Sequence, residues 1–154
     1  MALWRLIPRL AKLSYRRRVL ILEATAWLLF TRLSLSFFPF PRLRVYLGTF
    51  VSPTDTRVLQ AKSEASHSQT LIAEEISWAV TRAARYAPFR ALCLPQAMAA
   101  KLMLERRGIP SALHFGARRG QCKPIDLHAW LDAAGVEVAG YPIAKTFTEV
   151  GCFV

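Results

Sequence analysis

At Gly108 the spacing of apolar residues changes, and that change limits the fold more than any other feature of the chain. Before it, Ile72, Ile76, Ala79/Val80 and Ala83 recur every three to four residues, the helical period, and a second helix runs from Leu94-Pro95 through Arg107. After it, Ser111–Ala117, Ile125–Leu131 and Val136–Tyr141 follow period two, and Thr146–Phe153 supplies one more such segment. Helices first and short strands afterwards predict an α+β domain with an antiparallel sheet. The punctuation agrees. Pro95 costs nothing in a first helical turn, Gly108 suits the residue just past a helix with Ile109 as its apolar contact, and Ala133-Ala134-Gly135 reads as a tight turn between the second and third strands. Glu74 and Glu75 fall in the first turn of their helix, where negative charge is favoured.

Upstream, a Leu-rich helix is predicted over Ser14–Ser36, stopped by Pro39 and Pro41, with a short helix over Arg42–Leu47 closed by Gly48. Residues 51–70, VSPTDTRVLQAKSEASHSQT, carry little apolar periodicity and read as a polar linker. The expected organisation is a basic, apolar helical N-terminal segment over 1–50, the linker over 51–70, and the α+β domain over 71–154.

Charge is concentrated in the front segment. Of the net +11, residues 1–50 contribute +8, from nine basic residues against Glu23 alone. Such a segment suits an anionic surface, nucleic acid or an acidic partner. No RNA-binding or helix-turn-helix signature accompanies the arginines, so nucleic acid is the alternative reading and a partner protein or acidic peptide the preferred one. The apolar run Val19–Phe40 is broken by Glu23 and Arg32 and falls short of the roughly 18–20 nearly uncharged residues of a spanning helix, and no cleavage site follows it. A cytoplasmic protein, with association at a membrane surface as an option, is the expectation. Three cysteines without paired spacing argue against a disulfide framework, and Cys93, Cys122, Cys152, His114 and His128 contain no C-x₂-C or H-x₃-H pair. Neither a metal nor a cofactor is expected.

Chemistry points to Cys93. It stands at the start of the helix that contains Pro95, where unsatisfied backbone N–H groups stabilise a thiolate and can form part of an oxyanion hole. His128 lies thirty-five residues on, within the strand Leu127-His128-Ala129-Trp130-Leu131. A cysteine at a helix N-terminus followed by a histidine on an antiparallel strand is the arrangement of papain-like and transglutaminase-like enzymes. Trp130 shares a face with His128 and either walls the cleft or belongs to the core. His114 reads as structural, and Cys122 and Cys152 as incidental.

Three fragments, Ala91-Leu-Cys93-Leu-Pro-Gln-Ala-Met-Ala, Leu104-Glu-Arg-Arg-Gly108-Ile-Pro and Leu127-His128-Ala-Trp130-Leu-Asp132, resemble in order and distance the lasso peptide biosynthesis B proteins, in their transglutaminase-like cysteine protease part. The basic front, the Leu-rich helix and Pro-Phe-Pro-Arg-Leu extend the resemblance over nearly the whole chain. It implies a core in which the Cys-bearing helix packs on a small antiparallel sheet, and a bacterial leader peptidase of the split form. Such an enzyme cuts the leader from a ribosomally made precursor, works with a small leader-recognition protein, and delivers the core peptide to a lasso cyclase. By that resemblance Cys93 forms a thioester with the last leader carbonyl and His128 moves the proton.

The family's third residue, an Asp that orients the histidine, has no clear counterpart. With a three-residue loop at 133–135, position 140 stands opposite His128, and that residue is Gly140. Asp132 ranks first because it matches the acidic position of the family's His-Ala-Trp-x-acid wording. Asp126, Glu137 (if the loop has two residues) and a backbone carbonyl are the alternatives, and without an orienting group the chain is an inactive scaffold of the same fold.

Overall fold

The computed structural model describes residues 13–63, 65–120 and 124–154. The amphipathic reading of the first dozen residues and the position of Cys122 therefore lie outside the described residues. Among the described residues five helices, α1 (Tyr15–Phe37), α2 (Phe40–Leu43), α3 (Thr56–Lys62), α4 (His67–Tyr86) and α5 (Cys93–Glu105), accompany five strands, β1 (Phe50–Val51), β2 (Ser111–Arg119), β3 (Ile125–Ala133), β4 (Val136–Ala139) and β5 (Thr148–Phe153). The strands form one antiparallel sheet in the order β1-β5-β2-β3-β4. The fold is α+β, as expected, with the Cys-bearing helix packed on a small antiparallel sheet and a long helix preceding that core.

Local signals set the helix ends. Ser14 caps α1 by accepting from the Arg17 N–H, and α1 stops before Pro39. Ser66 and Gln69 form a capping box at α4, each satisfying an N–H that the first turn leaves free. After α5, Gly108 takes φ +65 and Ile109 donates back to the Leu104 carbonyl, which turns the chain into β2.

α5 is the centre of the molecule. Ala97, Ala99 and Ala100 are fully buried beside Met98, Met103 and Leu104, and the helix packs against α1, α4, β2, β3 and β4. Leu20, Ala24 and Leu28 bring α1 into the same core, with Ala73, Ile76, Ala79 and Val80 of α4 and Leu113, Ala129, Leu131 and Val138 of the sheet. The front segment is thus an integral wall rather than an appendage. Among the described residues α1 is also the one helix long and apolar enough to cross a membrane by length and composition, and Leu22, Phe30 and Phe37 on it are exposed.

Residues 51–70 differ from the expected linker. Asp55 caps α3 through the Arg57 N–H, and Val58 and Ala61 bury themselves in a second small core with Val51, Ala112 and Cys152. Two apolar residues at i and i+3 suffice for a two-turn helix that covers a sheet face, a signal too short to stand out in a polar stretch.

Two polar links hold α1 to the end of α5. Glu23 accepts from Arg107 at 2.6 and 3.1 Å, and this guanidinium, outweighing the opposing effect of partial burial, holds the Glu23 carboxyl below its ordinary range. A carboxylate with a depressed pKa contributes stability that is present above its ordinary value, near 4.5, and is lost as the pH falls through the lower folded value. Glu23→Gln is therefore expected to lower stability at neutral pH by on the order of 1 kcal/mol or less. Thermal melts of both proteins across the acid range should show this difference shrinking toward zero. In the core, Leu28→Ala should cost about 2–5 kcal/mol, read by urea unfolding, because a fully buried side chain leaves a cavity.

Candidate active site

Cys93 is the first residue of α5, and Leu92 before it supplies no side-chain cap. Pro95 has no N–H to offer, so the free donors of this helix end are the backbone amides of Cys93 and Leu94, beside the thiol. No acidic side chain lies in the first turn to oppose a thiolate there. α1 braces this end of α5 from behind: the buried Thr31 hydroxyl sits 3.2 Å from the Pro95 carbonyl. Gln96 donates to the Ala91 carbonyl at 2.7 Å, tying the preceding loop to the same turn.

Cys93, half-buried, and His128 of β3 line one cavity of about 430 Å³, together with Gln96, Gly140 and Tyr141. The ring of His128 is held on both sides. Its Nε2 lies 2.7 Å from the Gly140 carbonyl, and Phe147 stacks on the ring at 5.0 Å. A carbonyl can only accept, so this contact places the proton on Nε2 and leaves Nδ1 as the lone-pair nitrogen.

That acceptor follows from the β3–β4 connection. The turn has two residues, Ala134 and Gly135, both at positive φ, instead of the three expected, and pairs Ala133 with Val136 and Asp132 with Glu137. An irregularity between Leu131 and Asp132 then shifts the register so that Leu131 meets Ala139. The backbone at Gly140 comes up against β3 at φ +87, where a Cβ would sit 2.6 Å from the Ala129 carbonyl. No side-chain acid fits at position 140. Its carbonyl, however, reaches the imidazole.

Asp132, expected to orient His128, is found with other partners. Its carboxylate accepts from the Tyr141 hydroxyl at 2.5 Å and lies 3.3 Å from Nε2 of His114. Three residues of strand, Trp130 in the middle of them, separate it from His128, and Trp130 stacks on His128 at 6.3 Å and on His114 at 5.4 Å. Asp126 pairs with Arg118 at 3.5 Å. Glu137 does line the Cys93–His128 cavity, as a two-residue loop requires, with its carboxylate 2.9 Å from Lys145.

On the far side of Trp130 lies a cluster that sequence spacing does not reveal. His114 and Cys152, both fully buried, are direct partners across β2 and β5, with Sγ 3.1 Å from Nδ1. Glu149 contacts both, 2.8 Å from the Cys152 sulfur. Burial and the Glu149 carboxylate push the Cys152 thiol well above its ordinary pKa, the opposite of what a nucleophile needs. Burial raises Glu149, yet its bonds to Cys152 and His114 outweigh that and hold it below the ordinary carboxylate range. Burial and Asp132 raise the Tyr141 phenol.

A cysteine opening a central helix, backed by an antiparallel sheet and sharing a cavity with a strand histidine, defines an α+β core of the kind found in cysteine proteases. The chain belongs to the transglutaminase-like superfamily, whose family model matches residues 34–151. Neither the curated proteins nor the solved structures compared with it include a match.

Gly140→Ala tests the carbonyl contact. The new Cβ at positive φ must move the backbone away from β3, so a loss of about 1–3 kcal/mol in urea unfolding is expected. A shift of the His128 ring signals in NMR should accompany it. A fully stable variant with unchanged His128 signals would show that the glycine is not required.

Proposed function

We propose that this protein is a cysteine peptidase that removes the leader from a ribosomally made lasso-type precursor, with Cys93 as nucleophile and His128 as base and acid. The observation that carries the reading is the shared cavity: a thiol at a helix N-terminus beside an imidazole whose Nε2 proton is committed to the Gly140 carbonyl. Nδ1 is then the nitrogen that takes the thiol proton. The thiolate attacks the last leader carbonyl, the N–H groups of Cys93 and Leu94 stabilise the oxyanion, and the imidazolium protonates the departing core amine. Water, deprotonated by the same nitrogen, hydrolyses the thioester and frees the leader.

In this reading the pair works as a dyad oriented by a backbone carbonyl, and Asp132 acts elsewhere. The basic, apolar front favours a small leader-recognition protein and a cyclase as partners over nucleic acid, because exposed apolar side chains such as Val19, Leu22 and Phe30 follow its arginine cluster on the same helix. Salt-sensitive binding to random duplex DNA, with no dependence on Cys93, would favour the nucleic-acid alternative instead.

The test is incubation with a precursor peptide and the leader-binding partner, read by mass spectrometry for a leader-length loss. Cys93→Ala should abolish cleavage while the fold, checked by circular dichroism, is kept. His128→Ala should slow it by about 10²–10⁴-fold. Undiminished cleavage by Cys93→Ala, or by protein alkylated with iodoacetamide at Cys93, would eliminate the mechanism.

A further inference from the structure

We propose that His114, Glu149 and Cys152 form a site for a thiophilic divalent cation, zinc being the best match, independent of the Cys93–His128 cavity. The three donor atoms, Nδ1, a carboxylate oxygen and Sγ, all lie within 4.8 Å of one another. Around tetrahedral zinc such atoms stand roughly 3.4–3.6 Å apart, given bonds of about 2.0–2.3 Å. The Sγ–Nδ1 and Sγ–Oε1 separations are 3.1 and 2.8 Å, so the ligands need open by only about 0.5–1 Å to admit the ion.

One feature of the backbone and two of the surroundings separate this cluster from a chance meeting of polar side chains. First, residues three apart on a regular strand point to opposite faces. The register of β5 against β2 shifts between Phe115 and Gly116, where Gly151 and Glu149 become consecutive partners and Val150 is left unpaired. That bulge turns Glu149 onto the face of Cys152. Second, the other nitrogen of His114, Nε2, is fully buried with no hydrogen bond, and the Asp132 carboxylate lies 3.3 Å from it, within a small ring rotation of accepting its proton. Metal-bound histidines donate their second N–H to a carboxylate, which fixes the tautomer and strengthens the ligand. Asp132, steadied by the Tyr141 hydroxyl, stands where that partner belongs.

The charges also balance. Lys62 lies 3.7 Å from Glu149 and 3.9 Å from Asp132, so a thiolate and two carboxylates face a dication and one ammonium. A second cavity of about 430 Å³, lined by Lys62, Trp130, Asp132, Tyr141 and Glu149, reaches the cluster from its Glu149 side and has room for an entering ion and a water as fourth ligand. Binding releases the thiol proton to solvent and forms the metal–sulfur bond, with no change of oxidation state.

The experiment is metal titration of the full-length protein, prepared with chelator and then dialysed. One equivalent of Zn²⁺ should bind and raise the melting temperature, and Co²⁺ should give the near-ultraviolet sulfur-to-metal charge-transfer band. The band should vanish in Cys152→Ser and fall at least tenfold in intensity at equal metal in His114→Gln, while persisting in Cys93→Ser and Cys122→Ser. Should the buried variants fail to fold, the wild-type titration decides: absence of stoichiometric binding overturns the site. A band that survives Cys152→Ser, or that is lost in Cys93→Ser, overturns it equally. Peptidase activity enters none of these readings, so this proposal and the leader-peptidase reading stand or fall separately.

Discussion

Everything in this molecule is hung on the close approach of α5 to its neighbours. Alanines at 97, 99 and 100 let the helix axis sit tight against α1 and α4 on one side and the sheet on the other, and Met103 and Leu104 fill what remains. Because that helix is clamped on several sides, its first residue is fixed in space. The same seam brings β3 and β4 to the mouth of the helix, so the thiol of Cys93 and the ring of His128 open onto one cavity. A surface helix with an exposed N-terminus would have offered the same free N–H groups without a fixed histidine to use them.

Trp130 divides the chemistry in two. On one side it stacks on His128, whose proton is held by a main-chain carbonyl; on the other it lies nearly parallel to His114, which is sealed among Asp132, Glu149 and Cys152. The large indole fills the space that a side-chain acid would need to cross from Asp132 to His128. Gly116 faces it on β2, and any side chain there would run into the indole, 2.7 Å from the added Cβ. The two polar centres are therefore neighbours on the sheet yet separate, one opening to its cavity through Cys93 and the other with its histidine and cysteine fully buried. This separation leaves the cysteine of the buried centre unsuited to attack and that of the open one accessible.

The legible and illegible parts of the site divide along the same line. Cys93 was readable because its role is local: a cysteine two residues before a helical proline marks a helix start whatever the rest of the chain does. His128 was readable as a histidine in an alternating strand, and its company with Cys93 followed from the wording of three fragments rather than from spacing. Its orienting partner was not legible: Asp132 ranked first with a backbone carbonyl among the alternatives, and the carbonyl that reaches the ring is Gly140's, because a single residue of turn length decides which backbone reaches β3. Helix α3 escaped notice because only Val58 and Ala61 give it an apolar side.

Sequence alone determined the class of fold, the long helices and the strands that follow them, and the helix-start cysteine, since periodicity, prolines and capping residues act within a few positions of one another. Tertiary structure alone decided what each polar side chain touches. The two-residue turn at Ala134-Gly135, the irregularity beside Asp132 and the bulge beside Gly116 each move a strand by one residue, and a one-residue shift turns a side chain to the opposite face. Such shifts are settled by packing between segments up to thirty-eight residues apart, as His114 and Cys152 are, and no local pattern records them.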